Sequence, residues 1–563
     1  MWKWLTILML LSPKTGINTQ APSAPGDPIV SCAPPSLTMI LPGADGRYAP
    51  VFPGWGHYHY PISTTDDSAQ YYFDQGLSLY YSYHLTESAA SFKEAELRDS
   101  RCAMAWWGEA LALGPYYNNA YYYKMPPGVL PVLEKMNELA KTVTPKEKDL
   151  ISALDRRYST DTSDRRRIQL NSAYSKAMKA LIPKYPNDND IKALFIDGEM
   201  TEHAWGMWEN NGKPRPWTLE LVRDCEDILK SDPNHPAALH YHIHLLEASL
   251  HPEATLSSAE RLKDLMPGVP HMVHMASHSF QRTGLYEKGV TINDSANAAQ
   301  LIYSALAPQL HLATFVTHYH AVEAFCALTG GLFGKAMKSA RECSADVASR
   351  PGMPRLYLQY LSMMPTFVLV RMGKWQDILD RPVPDIRWTY ARLISDFARG
   401  MAYVRTDNIT AARACLDSLR EKLKDPSLKE RVLPFNAPIT GANTAAAILE
   451  GEIFFAAGQP KDAMSAFRRA ITSEDELSYS EPKDWPLPAR HFAGACLLKL
   501  GKAAEAAQLY REDLTQNPGN GWSLLGLAQA LTAQHDDSVA AEYLARAKTA
   551  FAQAEQTPPA SVY

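Results

Sequence analysis

Apolar residues recur at helical intervals along most of the 563-residue chain, from Asp66 onward. Aromatic residues and leucines fill one face of each predicted helix, and Ala or Gly stands where a second helix would approach. Many of the predicted helices end at a turn centred on glycine, as at Gly284, Gly373, Gly458 and Gly501. No strand-length run of alternating polar and apolar residues interrupts this rhythm. The pattern predicts stacked helical hairpins.

The clearest of these hairpins lies near the end of the chain. Residues 517–526 place Asn-Pro at a turn and then open a helix with W-x-x-L-G, the pattern of the tetratricopeptide repeat (TPR). We therefore predict an all-α fold, specifically a right-handed α-solenoid of stacked TPR-like helical hairpins.

The chain divides into five parts by composition and pattern. Residues 1–20 carry Lys3, a short apolar run and then small residues, which predicts a secretory signal peptide. Residues 21–60 are rich in Pro and Gly and predict an extended arm. Three groups of repeats follow, namely N-terminal TPR-like repeats at 61–230, His-rich central repeats at 231–345 and C-terminal TPR repeats at 346–555.

Composition narrows the classes of function. Hydrophobic residues make up 46% and charged residues 21% of the chain, as in an ordinary folded protein. The net charge is −5 and the basic residues are spread out, so nucleic-acid binding is not expected. Beyond the leader no uninterrupted apolar run of about 18 residues occurs, so we expect no membrane span. An exported protein, periplasmic or secreted, is the expected location.

Histidines concentrate in the central repeats. His240 and His244 form one i, i+4 pair and His274 and His278 another, and both intervals (274 − 240 and 278 − 244) equal the 34-residue length of one TPR. If both segments are first helices of neighbouring repeats, the two pairs face each other in register. The spacing predicts that four imidazoles converge on one metal ion, with Glu247 on the same stripe as a further ligand or general base.

Other histidines are assigned to the same region with less direct support. Aligning Gly330 with Gly284 places His320 opposite His274, because both intervals (330 − 284 and 320 − 274) are equal, and makes it a candidate fifth ligand. Five more histidines are candidates for lining the groove or supporting the ligands: His57, His59, His203, His271 and His318.

Imidazole ligands with one carboxylate suit Zn, Cu or Fe, and the sequence leaves the choice among the three open. An open coordination position would permit a hydrolytic or an oxidative reaction. The chain has no Walker loop, GxSxG elbow, HExxH motif or dinucleotide fingerprint. No nucleotide cofactor is therefore expected.

Several motifs also occur together in a known group of proteins: HYHYP at 57–61, CAMAWWG at 102–108, HMASH at 274–278, EPKDW at 481–485 and NPGNGW at 517–522. In these the chain resembles exported bacterial TPR proteins with a His-rich central region. The resemblance covers roughly residues 55 to 535 and implies a fold but no settled reaction.

Two functions follow as expectations. The first is a TPR-type protein that binds a protein, a peptide or a small-molecule ligand in the concave groove of the solenoid. The alternative is a metal-dependent enzyme that uses the central histidine cluster.

Overall fold

The computed structural model describes residues 40–126, 128–161, 163–312, 316–349, 355–431 and 436–563, without the side chain of Val316. Within these ranges the chain forms 25 α-helices and five short 3-10 helices, and it contains no β-strand. The prediction of an all-α fold is confirmed. The predicted signal peptide and residues 21–39 of the predicted arm lie outside the described residues.

The helices are numbered α1 to α25 in chain order. The first eight are α1 Asp67–Tyr81, α2 Leu85–Arg98, α3 Ala103–Ala112, α4 Val129–Leu139, α5 Pro145–Asp155, α6 Arg167–Leu181, α7 Asn189–Glu202 and α8 Thr218–Ser231. The central six are α9 Pro236–Leu246, α10 Leu256–Leu265, α11 Pro270–Thr283, α12 Tyr286–Leu306, α13 Val316–Thr329 and α14 Phe333–Ser349. The last eleven are α15 Leu356–Ser362, α16 Met364–Arg371, α17 Trp375–Asp380, α18 Thr389–Arg405, α19 Ile409–Lys422, α20 Pro438–Ala456, α21 Pro460–Asp475, α22 Ala489–Lys499, α23 Ala503–Gln516, α24 Gly521–Thr532 and α25 Asp537–Ala550.

Consecutive helices pack in pairs, and the pairs stack along the chain as in an α-solenoid. Small residues make this packing close. A Cβ atom on Gly76 of α1 would lie 2.9 Å from the ring of Phe92 in α2, and one on Gly108 of α3 would lie 2.3 Å from the same ring. Phe92 therefore fills a space that exists only because both neighbours lack side chains, as the sequence pattern predicts.

The glycine turns also follow the sequence prediction. Gly284, Gly373, Gly458 and Gly501 have φ values of 80°, 64°, 71° and 71°. This left-handed conformation strains residues with a Cβ atom, so glycine commonly occupies it just after a helix.

The described part of the Pro/Gly-rich arm has no helix and packs on the helices that follow. Phe52, Trp55 and Tyr60 are buried. The hydroxyl of Tyr58 donates a 2.6 Å hydrogen bond to Asp190 of α7. The arm thereby closes one side of the N-terminal repeats.

The C-terminal repeats return to contact the central ones. The indole nitrogen of Trp522 in α24 donates a 2.9 Å hydrogen bond to the carbonyl of Thr329 in α13. Gly284, after α11, and Gly519, before α24, approach so closely that a Cβ on Gly284 would lie 2.5 Å from Gly519. This return brings the C-terminal repeats against the carboxyl ends of α11 and α13. In the described residues, no helix combines the length and apolar character needed to cross a membrane.

Candidate metal centre

Three helices carry the central histidines. α9 and α11 each begin with a proline at the first helical position, at Pro236 and Pro270, and they pack against each other. Their interval (270 − 236) is the predicted repeat length of 34. α13 packs against α11 in turn. The sequence therefore placed the two histidine pairs on neighbouring helices in the correct register.

The first trihistidine cluster consists of His240 and His244 from α9 and His271 from the first turn of α11. Their candidate ligand atoms all lie within 4.8 Å of one another. The Nε2 atoms of His240 and His271 are 3.2 Å apart. All three side chains are buried.

The second trihistidine cluster consists of His274 and His278 from α11 and His318 from α13. Its ligand atoms also lie within 4.8 Å of one another. Nε2 of His274 is 3.0 Å from Nε2 of His278 and 3.0 Å from Nε2 of His318. These side chains are buried as well.

The structure groups the imidazoles differently from the predicted set of four, and one histidine from each predicted pair, His244 and His278, forms a further set of possible ligands with Glu247. Each i, i+4 pair takes its third member from the next helix, so six imidazoles form two neighbouring clusters. The rings of His244 and His278 are 6.1 Å apart, as are those of His271 and His274. The physical reason is the helix rise: His271 and His278 of α11 are separated by about 10 Å along the axis and cannot meet at one point.

The structure places His318, and not His320, beside the histidines of α11. His318, predicted only to line the groove, joins the second cluster, whereas Nε2 of His320, the predicted fifth ligand, lies 3.5 Å from Glu342 on the other side of α13. Two residues turn a helix by about 200°, so an alignment error of two positions reverses the face. Aligning the glycines that follow α11 and α13 does not determine how far each helix is rotated about its own axis in the packed structure.

Glu247 joins the two clusters through Nδ1 of one histidine in each. These Nδ1 atoms are called the outer nitrogens, because the Nε2 atoms meet inside the clusters. The Oε1 atom of Glu247 lies 2.9 Å from Nδ1 of His244 and its Oε2 atom 2.8 Å from Nδ1 of His278. The charges and hydrogen bonds of these histidines outweigh the effect of burial and lower the pKa of Glu247 to about 2. A general base needs a free lone pair and a pKa near the working pH, so the geometry does not support the predicted base role. Glu247 instead orients two rings.

A second carboxylate reaches the site from the C-terminal return. Oε1 of Glu481 lies 2.8 Å from Nδ1 of His278, and the hydroxyl of Tyr479 donates to the same carboxylate. Burial, and then the charge of Glu247, raises the pKa of Glu481 to about 7. The one sign of Glu481 in the sequence is its place in the EPKDW motif.

The remaining outer nitrogens show which ring atoms carry hydrogen. Nδ1 of His240 lies 2.6 Å from the carbonyl oxygen of Tyr81, an atom that can only accept. Nδ1 of His274 lies 2.6 Å from Oδ1 of Asn293, whose amide nitrogen donates to the carbonyl of Gly289 at 2.7 Å and so fixes the amide orientation. Both rings therefore carry hydrogen on Nδ1 and, when neutral, present a lone pair on Nε2.

Burial keeps most of these rings neutral. Together with the neighbouring imidazoles it lowers the pKa of His240, His271 and His274 well below the ordinary value, and burial lowers that of His318 to about 3. At His278 the effect of burial is outweighed by the charge of Glu481 and by the hydrogen bonds that the ring donates to both carboxylates, which raise the pKa to about 10. Neutral imidazole is the form that binds a metal ion.

Two tyrosines cover the first cluster. The ring of Tyr83 lies 4.5 Å from that of His240 and 5.8 Å from that of His271, and Tyr117 lies 4.9 Å from His244. Tyr83 has a φ of 57°, the left-handed conformation that is uncommon for a tyrosine. Sequence analysis missed Tyr83, since nothing local distinguishes it from the tyrosines around it.

The other predicted groove residues lie elsewhere. His57 and His59 are exposed, and Nδ1 of His59 lies 2.8 Å from Asp74. His203 stacks on Trp217 with ring centroids 3.6 Å apart. None of the three belongs to a trihistidine cluster.

Comparison with known proteins adds little to this geometry. No protein-family model matches the chain, and no curated protein does. Among solved structures it is similar to a human IFIT1 dimer with m7Gppp-AAAA, with 12% identity, 87% of this chain and 91% of that one covered, and a TM-score of 0.31. It is also similar to the APC/C hetero-tetramer Cut9–Hcn1, with 11% identity, coverages of 88% and 79% and a TM-score of 0.27. It is similar to yeast Tom70 as well, with 10% identity, 85% of this chain and 93% of that one covered, and a TM-score of 0.28. Scores this low support no conclusion about the function of this chain.

Proposed function

We propose that this protein is a metalloprotein in which the two trihistidine clusters each bind one metal ion. His240, His244 and His271 would hold one ion, and His274, His278 and His318 the other. Glu247, Glu481 and Asn293 would orient the rings from their outer nitrogens. Such partners are the usual support of histidine ligands in metal sites.

The observation that carries this proposal is the convergence of Nε2 atoms within each cluster, where His240 and His274 already use Nδ1 as a donor and so direct the Nε2 lone pair of the neutral ring into the shared space. A cation in that space would accept these lone pairs together with those of the neighbouring rings. Ligands at about 2.1 Å from a tetrahedral ion are about 3.4 Å apart, close to the contacts of 3.0 to 3.2 Å in the clusters.

A purely hydrogen-bonded histidine core is the competing explanation. A proton between two rings can replace a metal, and His278 can supply one. A hydrogen-bonded core leaves three ring nitrogens without a partner in the described part of the chain, however. They are Nε2 of His244, Nδ1 of His271 and Nδ1 of His318. Each buried polar atom without a partner costs about 1–3 kcal/mol, and metal ligation would remove this cost at Nε2 of His244.

The ligand set favours copper or zinc. Imidazole suits Cu, Zn and Fe, but Fe(II) sites of the open kind usually include a carboxylate ligand, and both carboxylates here face outer nitrogens. Bound Cu would supply redox chemistry and bound Zn would supply Lewis acidity. The buried site would admit only small molecules without movement of the covering segments.

Peptide or protein binding remains a second candidate, favoured by the stacked helical hairpins themselves. It would use a surface other than the face that carries the clusters, because that face is buried. Export is a further part of the proposal and rests on the leader at residues 1–20; the amino-terminal sequence of protein secreted by its own host tests it.

Metal analysis tests the central proposal. Untagged protein, purified without a chelating column, is expected to contain about two ions per chain, and His274→Gln should lose one or both. His242→Gln is the matched control, because His242 is a buried histidine of α9 that bonds to Ser258 and belongs to neither cluster. A content below about 0.1 ion per chain in native and in Cu- or Zn-reconstituted protein would overturn the proposal.

Removing the metal supplies a second readout. The ligands come from α9, α11 and α13, so bound ions would link three repeats, and a chelator should lower the melting temperature. Ligand at 100 to 1,000 times its Kd stabilises by about 2.7–4.1 kcal/mol. A melting curve that a chelator leaves unchanged in metal-loaded protein would count against sites that bridge the helices.

A further inference from the structure

A second group of charged side chains lies where the C-terminal repeats return to the central ones. A cavity there is lined by the ends of α11 and α13, by α16, by residues 479–488 and by the turn before α24. Three of its lining residues are cations: Arg282, Arg371 and Lys483. No aspartate or glutamate is among the described residues that line it.

Arg282 is held in place without a direct ion pair in the described residues, although the charges of Glu247 and Glu481 act on it. Its side chain is buried, and one terminal nitrogen donates a 2.8 Å hydrogen bond to the carbonyl of Ser249. Its Nε atom has no hydrogen-bond partner in the described residues. Arg282 follows His278 by four residues on α11, so the cavity lies about one helical turn beyond the second trihistidine cluster.

Arg371 is likewise buried and forms no direct ion pair in the described residues. Its terminal nitrogens donate to Nδ1 of His491 and to the carbonyl of Pro486, both at 3.2 Å, and its guanidinium lies 4.5 Å from the centre of the Trp522 ring. These partners are uncharged or aromatic. The Nε atom of Arg371 is buried without a partner in the described chain.

The carboxylate of Asp513, whose charge acts on Arg371 and Lys483, already accepts hydrogen bonds from other donors. Oδ2 of Asp513 accepts a 2.6 Å hydrogen bond from Ser523, and Oδ1 accepts a 2.9 Å hydrogen bond from the amide of Asn517. Lys483 donates only to Asn517 among the side chains of the described residues. Burial, with the charge of Arg282 adding to it, lowers the pKa of Lys483 to about 8, which still leaves it mostly charged at neutral pH.

Buried charges are normally paired, and none of these three cations forms a direct ion pair in the described part of the chain, although the charges of Asp513 and Glu474 act on Arg371 and Lys483. We propose that the cavity binds a small oxyanion or the carboxylate or phosphate end of a small molecule. A guanidinium suits both groups, because its donors form a planar fork that matches their oxygens. The enclosed free space is small and suits one small group rather than a whole metabolite.

This site does not depend on the metal proposal. The anion would stabilise the contact between α11 and the C-terminal return, whether or not the trihistidine clusters hold metal. Binding is therefore measured on chelator-treated protein, so that a failure of either proposal leaves the other open to its own test.

The experiment titrates the full chain with sodium phosphate, sulfate, acetate and succinate by calorimetry, at an ionic strength held constant with chloride. Saturable binding of phosphate or sulfate is expected if the ligand is a free oxyanion. Preferential binding of acetate or succinate would instead assign the cavity to the end group of an organic acid. Absence of saturable binding by all four salts would overturn the proposal.

Variants connect the binding to the cavity. Arg371→Gln and Lys483→Met should each weaken binding at least about tenfold, as expected for loss of a charge-assisted hydrogen bond. The matched controls Arg387→Gln and Lys424→Met change exposed cations and should bind as the native chain does. If a cavity variant fails to fold, selenate density at Arg371 and Lys483 in crystals of the native chain decides the question: its presence supports the site and its absence rejects it.

Discussion

Oε1 of Glu481 lies 2.8 Å from Nδ1 of His278, although the two residues come from opposite halves of the chain. Oε2 of Glu247 lies at the same distance from the same nitrogen. One ring nitrogen thus contacts a carboxylate from the preceding repeat and a carboxylate from the C-terminal return. The central site is complete only when the last repeats fold back over it.

This contact predicts that Glu481→Gln weakens metal binding at the second cluster. The amide has no charge to polarise the imidazole of His278, and loss of such an outer partner typically costs about 10–100-fold in metal affinity. A competition titration with a chromophoric chelator measures the change. Glu476→Gln, an exposed glutamate five residues earlier, is the control and should leave affinity unaltered.

The division of roles on α13 predicts opposite results for two neighbouring histidines. His318→Gln removes a proposed ligand and should lower the metal content by about one ion per chain, while His320→Gln should leave it unchanged. Elemental analysis of both purified variants measures this. Equal losses, or a loss only for His320→Gln, would contradict the assignment of the second cluster.

The pair Glu96 and Glu109 predicts a pH-dependent stability away from the metal centre. Burial, followed by the charge of Glu109, raises the pKa of Glu96 to about 10, so the folded chain keeps a proton that the unfolded chain loses above about pH 4.5. Stability from this proton is complete below that pH and is lost as pH rises toward 10, by at most about 1.4 kcal/mol per pH unit.

Glu96→Gln should therefore stabilise the protein more at pH 8 than at pH 5, because glutamine resembles the protonated acid at every pH. Denaturant unfolding of both chains at the two pH values measures the difference. Glu226→Gln changes an exposed glutamate of α8 and should give the same small difference at both pH values. A Glu96→Gln effect that does not grow with pH would contradict the assignment.

The close approach of Gly284 and Gly519 predicts an unequal cost for two otherwise similar substitutions. Gly284→Ala puts a Cβ atom at φ 80° and 2.5 Å from Gly519, whereas Gly458→Ala has a φ of 71° and nothing within 4 Å. Both should lose about 1 kcal/mol to the left-handed conformation, and Gly284→Ala should lose a further 1–3 kcal/mol, about the cost of overpacking. Urea unfolding measures both. Equal losses would show that the C-terminal return moves away without cost.

Local sequence was sufficient for part of the site. The pairs His240 with His244 and His274 with His278 follow from the helical repeat alone, and the interval of 34 residues placed them on neighbouring helices. The helical repeat did not predict the third histidine of either cluster. His271 and His318 join because of the rotation of α11 and α13 about their axes, which depends on tertiary packing that the glycine alignment could not supply.

The sequence by itself determined the helices, their pairing and the position of the histidine pairs, because helix periodicity and glycine turns are local properties of the backbone. Tertiary structure alone decided that there are two clusters, that Tyr83 and Glu481 reach them, and that Arg282, Arg371 and Lys483 surround one cavity. Those contacts join residues far apart in the chain, and their geometry depends on the accumulated packing of many helices, each of which shifts the next.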